Sequence, residues 1–151
     1  MHLLVLTILA ASPFMAAPPA TSNRIPSTGL EIRLAFLEPR PGLIRVDIPN
    51  QFGPVYIAPT PFLTATHIKR VASEPDDHGF PGIKLYFTRK GADIVRRVST
   101  ANLGKHFVFV LLGEPVFAPR IEAPISSDFT RIDGFLTQAQ IDAFVSAVPA
   151  K

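Results

Sequence analysis

Apolar and polar positions alternate with period two over residues 30–36, where Leu30, Ile32, Leu34 and Phe36 are interleaved with Glu31, Arg33 and Ala35. That is the pattern of a strand with one face buried and the other exposed. After the turn sequence EPRPG at 38–42, Ile44, Val46 and Ile48 alternate with Arg45 and Asp47, predicting a second strand that pairs with the first as a hairpin. Residues 55–58 predict a short third strand. Pro59 and Pro61 then keep the chain at an edge or outside a ladder, because proline has no donor. Residues 66–72 read as a short helix, and 73–81 (SEPDDHGFP) as a polar loop. In residues 83–87, Ile83, Leu85 and Phe87 share one strand face.

Thr88 is placed to cap a helix reaching about residue 103, with Ala92, Val95, Val98 and Asn102 on its inner side and Asp93 four residues from both Arg89 and Arg97. Gly104 stands where a left-handed C-terminal cap falls. Residues 107–112 (FVFVLL) are apolar on both faces and predict a central strand. Gly113 and Glu114 suit a reversal into 115–121, where Pro115 and Pro119 argue for an edge or bulged strand. Residues 128–133 give a weaker strand signal. The last helix is marked by Thr137 and Gln140 as a capping box, Leu136 and Ile141 as a hydrophobic staple, and an apolar stripe of Ile141, Phe144, Val145 and Val148. The fold class is α+β: a mainly antiparallel sheet with two principal helices packed on one face.

Composition narrows the classes. The 151 residues are 47% hydrophobic and 18% charged, enough for one packed domain and too apolar for a disordered chain. The absence of cysteine excludes disulfides, thiolate metal sites and a cysteine nucleophile. The formal net charge of +3 is spread through the sequence, which bears on solubility more than on a nucleic-acid partner. Residues 1–23 contain no Lys, Arg, Asp or Glu, and the apolar run at 3–11 precedes Ser12, Pro13 and small residues. Residues 1–17 therefore read as a secretory signal peptide, with cleavage between 16 and 20. Pro13 splits the apolar block well short of a membrane span, so no stable span is expected after cleavage. Residues 18–29 form a flexible leader, and 30–148 a single α+β domain in the periplasm or outside the cell.

Within that domain, the strand at 82–87, Gly91-Ala92 opening a helix, Thr100-x-Asn102-x-Gly104-Lys105, the apolar strand at 108–112, Ala118-Pro119-x-Ile121, and Ile132-x-Gly134-x-Leu136-Thr137 follow one another in order. With Leu63-Thr64 and Ile68 upstream, this succession resembles the head of the first periplasmic domain of SecD, the export-accessory subunit of SecDF, over residues 55–148. Two departures stand out. The family's Asp-Gly hairpin turn is replaced by Gly113-Glu114, and its paired glycines by Ser126-Ser127. The proton-coupling membrane helices of SecD have no counterpart, so the resemblance implies a detached head that contacts a polypeptide and carries no cofactor. Gly91, Thr100, Asn102, Gly104, Lys105, Pro119 and Gly134 are the family-motif positions, mainly structural in role.

The chemical motifs weigh the same way. Gly104-Lys105 lacks the glycine at 99 and the hydroxyl at 106 that a phosphate loop requires. It reads as a helix terminus instead, with Thr100 and Asn102 bonding the last carbonyls and Lys105 complementing the dipole. Glu74, Asp76, Asp77 and His78 lack the alternation of a calcium loop, His67, His78 and His106 lack zinc spacing, and no G-x-S-x-G elbow occurs. The sequence thus points to a non-enzymatic exported module with no catalytic, cofactor or metal residues. It would contact a polypeptide or an envelope protein through a sheet edge or groove, with Tyr86, Arg96, Arg97 and Phe117 as its partner surface. Two rivals stand beside it: a periplasmic subunit or inhibitor of one folded envelope protein, and a small metal-dependent hydrolase using His67, His78, Asp76 and Asp77.

Overall fold

A computed structural model of the chain describes residues 25, 29–49, 51, 53–133 and 136–148. The segment expected to be a signal peptide (1–17), most of the expected leader (18–29) and Gly134 lie outside these residues. The strands are β1 (Leu30–Phe36), β2 (Ile44–Val46), β3 (Val55–Ile57), β4 (Leu63–Thr64), β5 (Ile68–Ser73), β6 (Gly82–Phe87), β7 (His106–Leu111), β8 (Glu114–Phe117) and β9 (Phe129–Asp133). The helices are α1 (Arg89–Ala101) and α2 (Gln138–Ala147), and a 3-10 turn at Ala65–His67 precedes β5. Every strand pairing is antiparallel, and both helices contribute to one core, so the chain has the α+β fold its periodicities predict. The strands divide between two sheets, a larger one ordered β2-β3-β1-β7-β8 with β4 also on β1, and a smaller one ordered β5-β6-β9.

The large sheet is buried on both faces. Leu30, Ile32, Phe107, Phe109 and Leu111 point into a core shared with the small sheet and with Val95, Ile141 and Phe144 of the helices. On the opposite face Ala35, Val55, Ile57, Val108 and Val110 pack with Ile25, Val46 and Ile48. This explains the two-sided apolarity of β7, which pairs with β1 on one side and β8 on the other. It also corrects the half-exposed reading of β1. Arg33 is 4% exposed, because the chain after β2 folds over that face: Gln51 Nε2 donates to Ala118 O at 3.2 Å, and Ile25 N donates to Gly113 O at 2.8 Å. The leader is therefore tied to the domain at Ile25. The charge of Arg33 is answered by Glu31 at 2.7 Å and by the carbonyls of Ala58 and Pro59, as burial of a cation requires.

Two further expectations are corrected. β2 does not pair with β1; it forms its hairpin with β3, which lies between them. Of residues 66–72 only Thr66 and His67 are helical, in the 3-10 turn, and the rest belong to β5. Ile68 pairs with Phe87 and Arg70 with Tyr86, so Lys69 is the extra residue of a β-bulge. The bulge brings Ile68 and Val71, three apart, onto one buried face and so mimics helical spacing. In α2 the capping box forms as expected, with Thr137 N to Gln140 Oε1 at 2.9 Å and Gln140 N to Thr137 Oγ1 at 3.2 Å. Its stripe is narrower than expected, since Ile141, Phe144 and Val148 are buried while Val145 is 39% exposed.

Candidate functional site

The inner faces of the two sheets part beside α1 and leave an apolar cleft. Phe62, Phe107 and Phe109 line it from the large sheet, Phe87 and Ile132 from the small one and Val95 from the helix; its volume is about 180 Å³. The Phe62 and Phe107 rings meet at 5.0 Å and 45°. Apolar cavities of about 150 Å³ admit a group the size of benzene, so the cleft has room for one large apolar side chain. Its mouth is formed by 119–123, Ile125, Thr130 and Arg131. Among the described residues β9 pairs only with β6, so an open strand edge runs along the mouth.

The segment 119–125 is pinned where the cleft needs it. Phe107 N donates to Pro119 O at 3.0 Å, Ile121 N to Lys105 O at 2.8 Å and Gly104 N to Ile121 O at 2.8 Å. Ser99, fully buried in α1, donates from Oγ to Arg96 O at 3.2 Å and accepts from Ile125 N at 2.9 Å. The sequence motifs assigned Ser99 no structural task. Its position four residues after Val95 on the same helix face was the available signal for a buried role. Helix α1 itself lies hard against the 3-10 turn. A Cβ at Gly91 would overlap His67 O and lie 3.2 Å from His67 C, while Thr88 N donates to His67 O at 2.9 Å.

The other motif positions close the end of α1. Thr100 Oγ1 donates to Arg96 O at 2.7 Å, Asn102 Nδ2 to Val98 O at 2.9 Å and Lys105 Nζ to Asn102 Oδ1 at 2.7 Å, with Gly104 at φ +81°. Pro119 borders the cleft mouth. The hairpin turn proves to be Leu112-Gly113, both at positive φ. Gly113 thus keeps the turn glycine, and only its predecessor departs from the family's Asp-Gly.

The four surface residues are not brought together. Phe117, half-buried in β8, meets its cross-strand partner Phe109 at 6.5 Å and is not among the residues lining the cleft. Arg96 pairs with Asp93 at 2.8 Å on the exposed side of α1, where Arg97 is also exposed. Tyr86 lies on the outer face of the small sheet, with the Arg70 guanidinium 4.1 Å from its ring centroid and Phe129 at 6.1 Å. The residues flanking β8 are engaged, Gly113 O by Ile25 N and Ala118 O by Gln51 Nε2, whereas β9 borders the cleft through Thr130, Arg131 and Ile132. β8 carries its expected irregularity at Val116, where the register slips.

The remaining candidates have local structural tasks. His67 Nδ1 accepts from Thr64 N at 3.2 Å, while Asp76 Oδ1 accepts from His78 N and Phe80 N, each at 2.8 Å, inside its own loop. Among the described residues no three His, Asp or Glu side chains are grouped to hold a metal ion. Among those residues no helix is long and apolar enough to cross a membrane.

Two antiparallel sheets and two capped helices around a side cleft define a small α+β head module. The family model of the SecDF P1 head subdomain matches residues 43–146, more than half of the chain, and the chain belongs to that family. The match begins upstream of the 55–148 resemblance and takes in β2. Among solved structures, the chain is similar to a membrane component SecDF that enhances protein export, at 21% identity and TM-score 0.60, covering 80% of this chain and 61% of that one. It is also similar to SecDF in a super-membrane-facing form, at 19% identity and TM-score 0.58 over 85% and 20% of the two chains. A third is the translocon-associated SecDF of Thermus thermophilus, at 20% identity and TM-score 0.50 over 80% and 19%. The chain thus spans less than two thirds of each of these proteins, and at these identities the likeness is one of fold. No curated protein matches the sequence.

Proposed function

We infer that this chain is an exported, non-enzymatic module that holds an extended polypeptide segment, one apolar side chain in the cleft and its backbone along β9. The observation that supports this most is the coincidence of an apolar cleft with an open strand edge at its mouth. Strand addition supplies affinity through main-chain hydrogen bonds and selectivity through the pocket that receives alternate side chains. A polar rim including Arg120, Glu122 and Arg131 keeps the site open to water when empty. Binding of this kind is weak and tolerant of sequence, as suits a partner in transit. The family's link to protein export agrees with such a partner.

The test is the affinity of the full chain for a fluorescent extended peptide with a central Phe or Leu, measured against the variant Ile125→Arg, which places a charge and added bulk at the mouth. The expected outcome is a loss of about tenfold, the equivalent of about 1.4 kcal/mol, with the melting temperature retained. Equal affinity in a folded variant would remove the cleft from the reading.

A further inference from the structure

A second recess lies away from the cleft mouth, where the end of β1 meets the start of β7. Ala35 pairs with His106 there, and Phe36, Glu38, Arg40, Lys105 and His106 enclose an open space of about 210 Å³. Phe36 gathers two cations: the Arg40 guanidinium carbon lies 4.7 Å from its ring centroid and Lys105 Nζ 5.3 Å from the same point. Arg120 is bridged to His106 through the backbone and donates from Nε to Gly104 O at 3.4 Å. Gly104 contributes no side chain to the lining, and Arg120 Nη2 stands 3.7 Å from where its Cβ would be.

The charge balance is uneven. Among the described residues the ion pairs involve Arg33, Arg45, Lys84, Arg96 and Arg131, and none holds the two cations of the recess, Arg40 and Lys105. Glu38 is the one carboxylate lining the recess. Like charges gathered on one aromatic ring repel, and a multivalent anion relieves that repulsion while giving each donor an acceptor. A terminal phosphate carries a charge of about −1.5 to −2 near neutral pH and three acceptor oxygens, a closer match to the Arg40 and Lys105 cations than a single carboxylate. We propose that this recess binds a terminal phosphate group, either free in solution or carried by a lipid headgroup.

Burial and then the nearby Arg120 hold His106 below its ordinary pKa, so an arriving anion moves that titration upward. Inorganic phosphate titrated into the full chain is expected to shift the amides of Gly104, Lys105 and His106 saturably and to raise the titration midpoint of the His106 ring. Arg40→Gln and Lys105→Gln should each weaken binding about three- to tenfold, with melting in the absence of phosphate serving as the folding control. Vesicles of phosphatidylcholine with phosphatidic acid separate the sources. Retention that needs Arg40 and is competed by phosphate assigns the headgroup, whereas phosphate binding without vesicle retention assigns the free anion. Non-saturable shifts, or equal affinity in both folded variants, overturn the proposal. The peptide test at Ile125 reads the cleft and leaves this recess untouched, so the two ideas fail separately.

Discussion

The two sheets solve the burial problem differently. The large sheet is covered on both faces, and the second cover is made by β2, Ile48, Gln51 and Ile25. The small sheet buries only its inner face. Its outer face sets Arg70 and Lys84 against Tyr86 and Phe129, with Lys84 Nζ 4.1 Å from the Phe129 ring centroid and Arg131 paired with Asp133 at 2.7 Å. An antiparallel sheet tolerates one solvated face when its side chains satisfy one another there. Where a doubly covered sheet meets a singly covered one, the edge of the thinner sheet stays open, and β9 lies at that boundary beside the cleft.

Breaking the extra cover should have the largest effect. Arg33→Met leaves the half-buried Glu31 carboxylate and the carbonyls of Ala58 and Pro59 without their donor, and is expected to cost about 2–3 kcal/mol in a denaturant titration. The double variant with Glu31→Gln should recover part of that loss. Next comes the packing of α1 against the 3-10 turn, where Gly91→Ala drives a methyl into the His67 carbonyl. A loss of about 1–3 kcal/mol is expected by the same titration.

Ser99→Ala sharpens the comparison at the boundary itself. It removes the acceptor for Ile125 N and should cost about 1–2 kcal/mol, with faster amide exchange at Ile125 and weaker peptide binding. The smallest effect is acid sensitivity at His106. Its folded pKa lies below the unfolded value of 6.5, so the unfolded chain binds the proton more readily. The stability that His106 contributes is complete above about pH 6.5 and is lost as pH falls through the folded value. Melting curves of the chain and of His106→Gln should therefore diverge most at low pH, where the protonated ring bears the burial and Arg120 repulsion that glutamine escapes.

How far this architecture was legible in the sequence depended on whether the signal was local. The capped start of α2, the cap at Gly104, the central position of β7 and the irregular β8 follow from neighbouring residues and appear as predicted. The errors arise where partners are distant. Lys69 hid a strand because one bulged residue converts period two into apparent helical spacing. Arg33 looked solvated because its cover is assembled from residues far along the chain. The order β2-β3-β1 could not be read from a turn that only implied proximity. The cleft draws on Phe62, Phe87, Phe107 and Ile125 from four separate segments, so no spacing rule could have marked it. The motif around Gly104 was readable as a helix end, whereas its position beside Arg40 and Arg120 emerges only from the pairing of β1 with β7 and the backbone bridge between His106 and Arg120.

The most direct test of the central claim is a map of amide chemical shifts in the full chain as an extended apolar peptide is added. The account predicts saturable changes confined to Phe62, Phe109, Ile125 and residues 129–132, together with slowed exchange of outward-facing β9 amides as a new strand pairs with them. Changes gathered on β8, or on the Tyr86 face with the cleft silent, would contradict it.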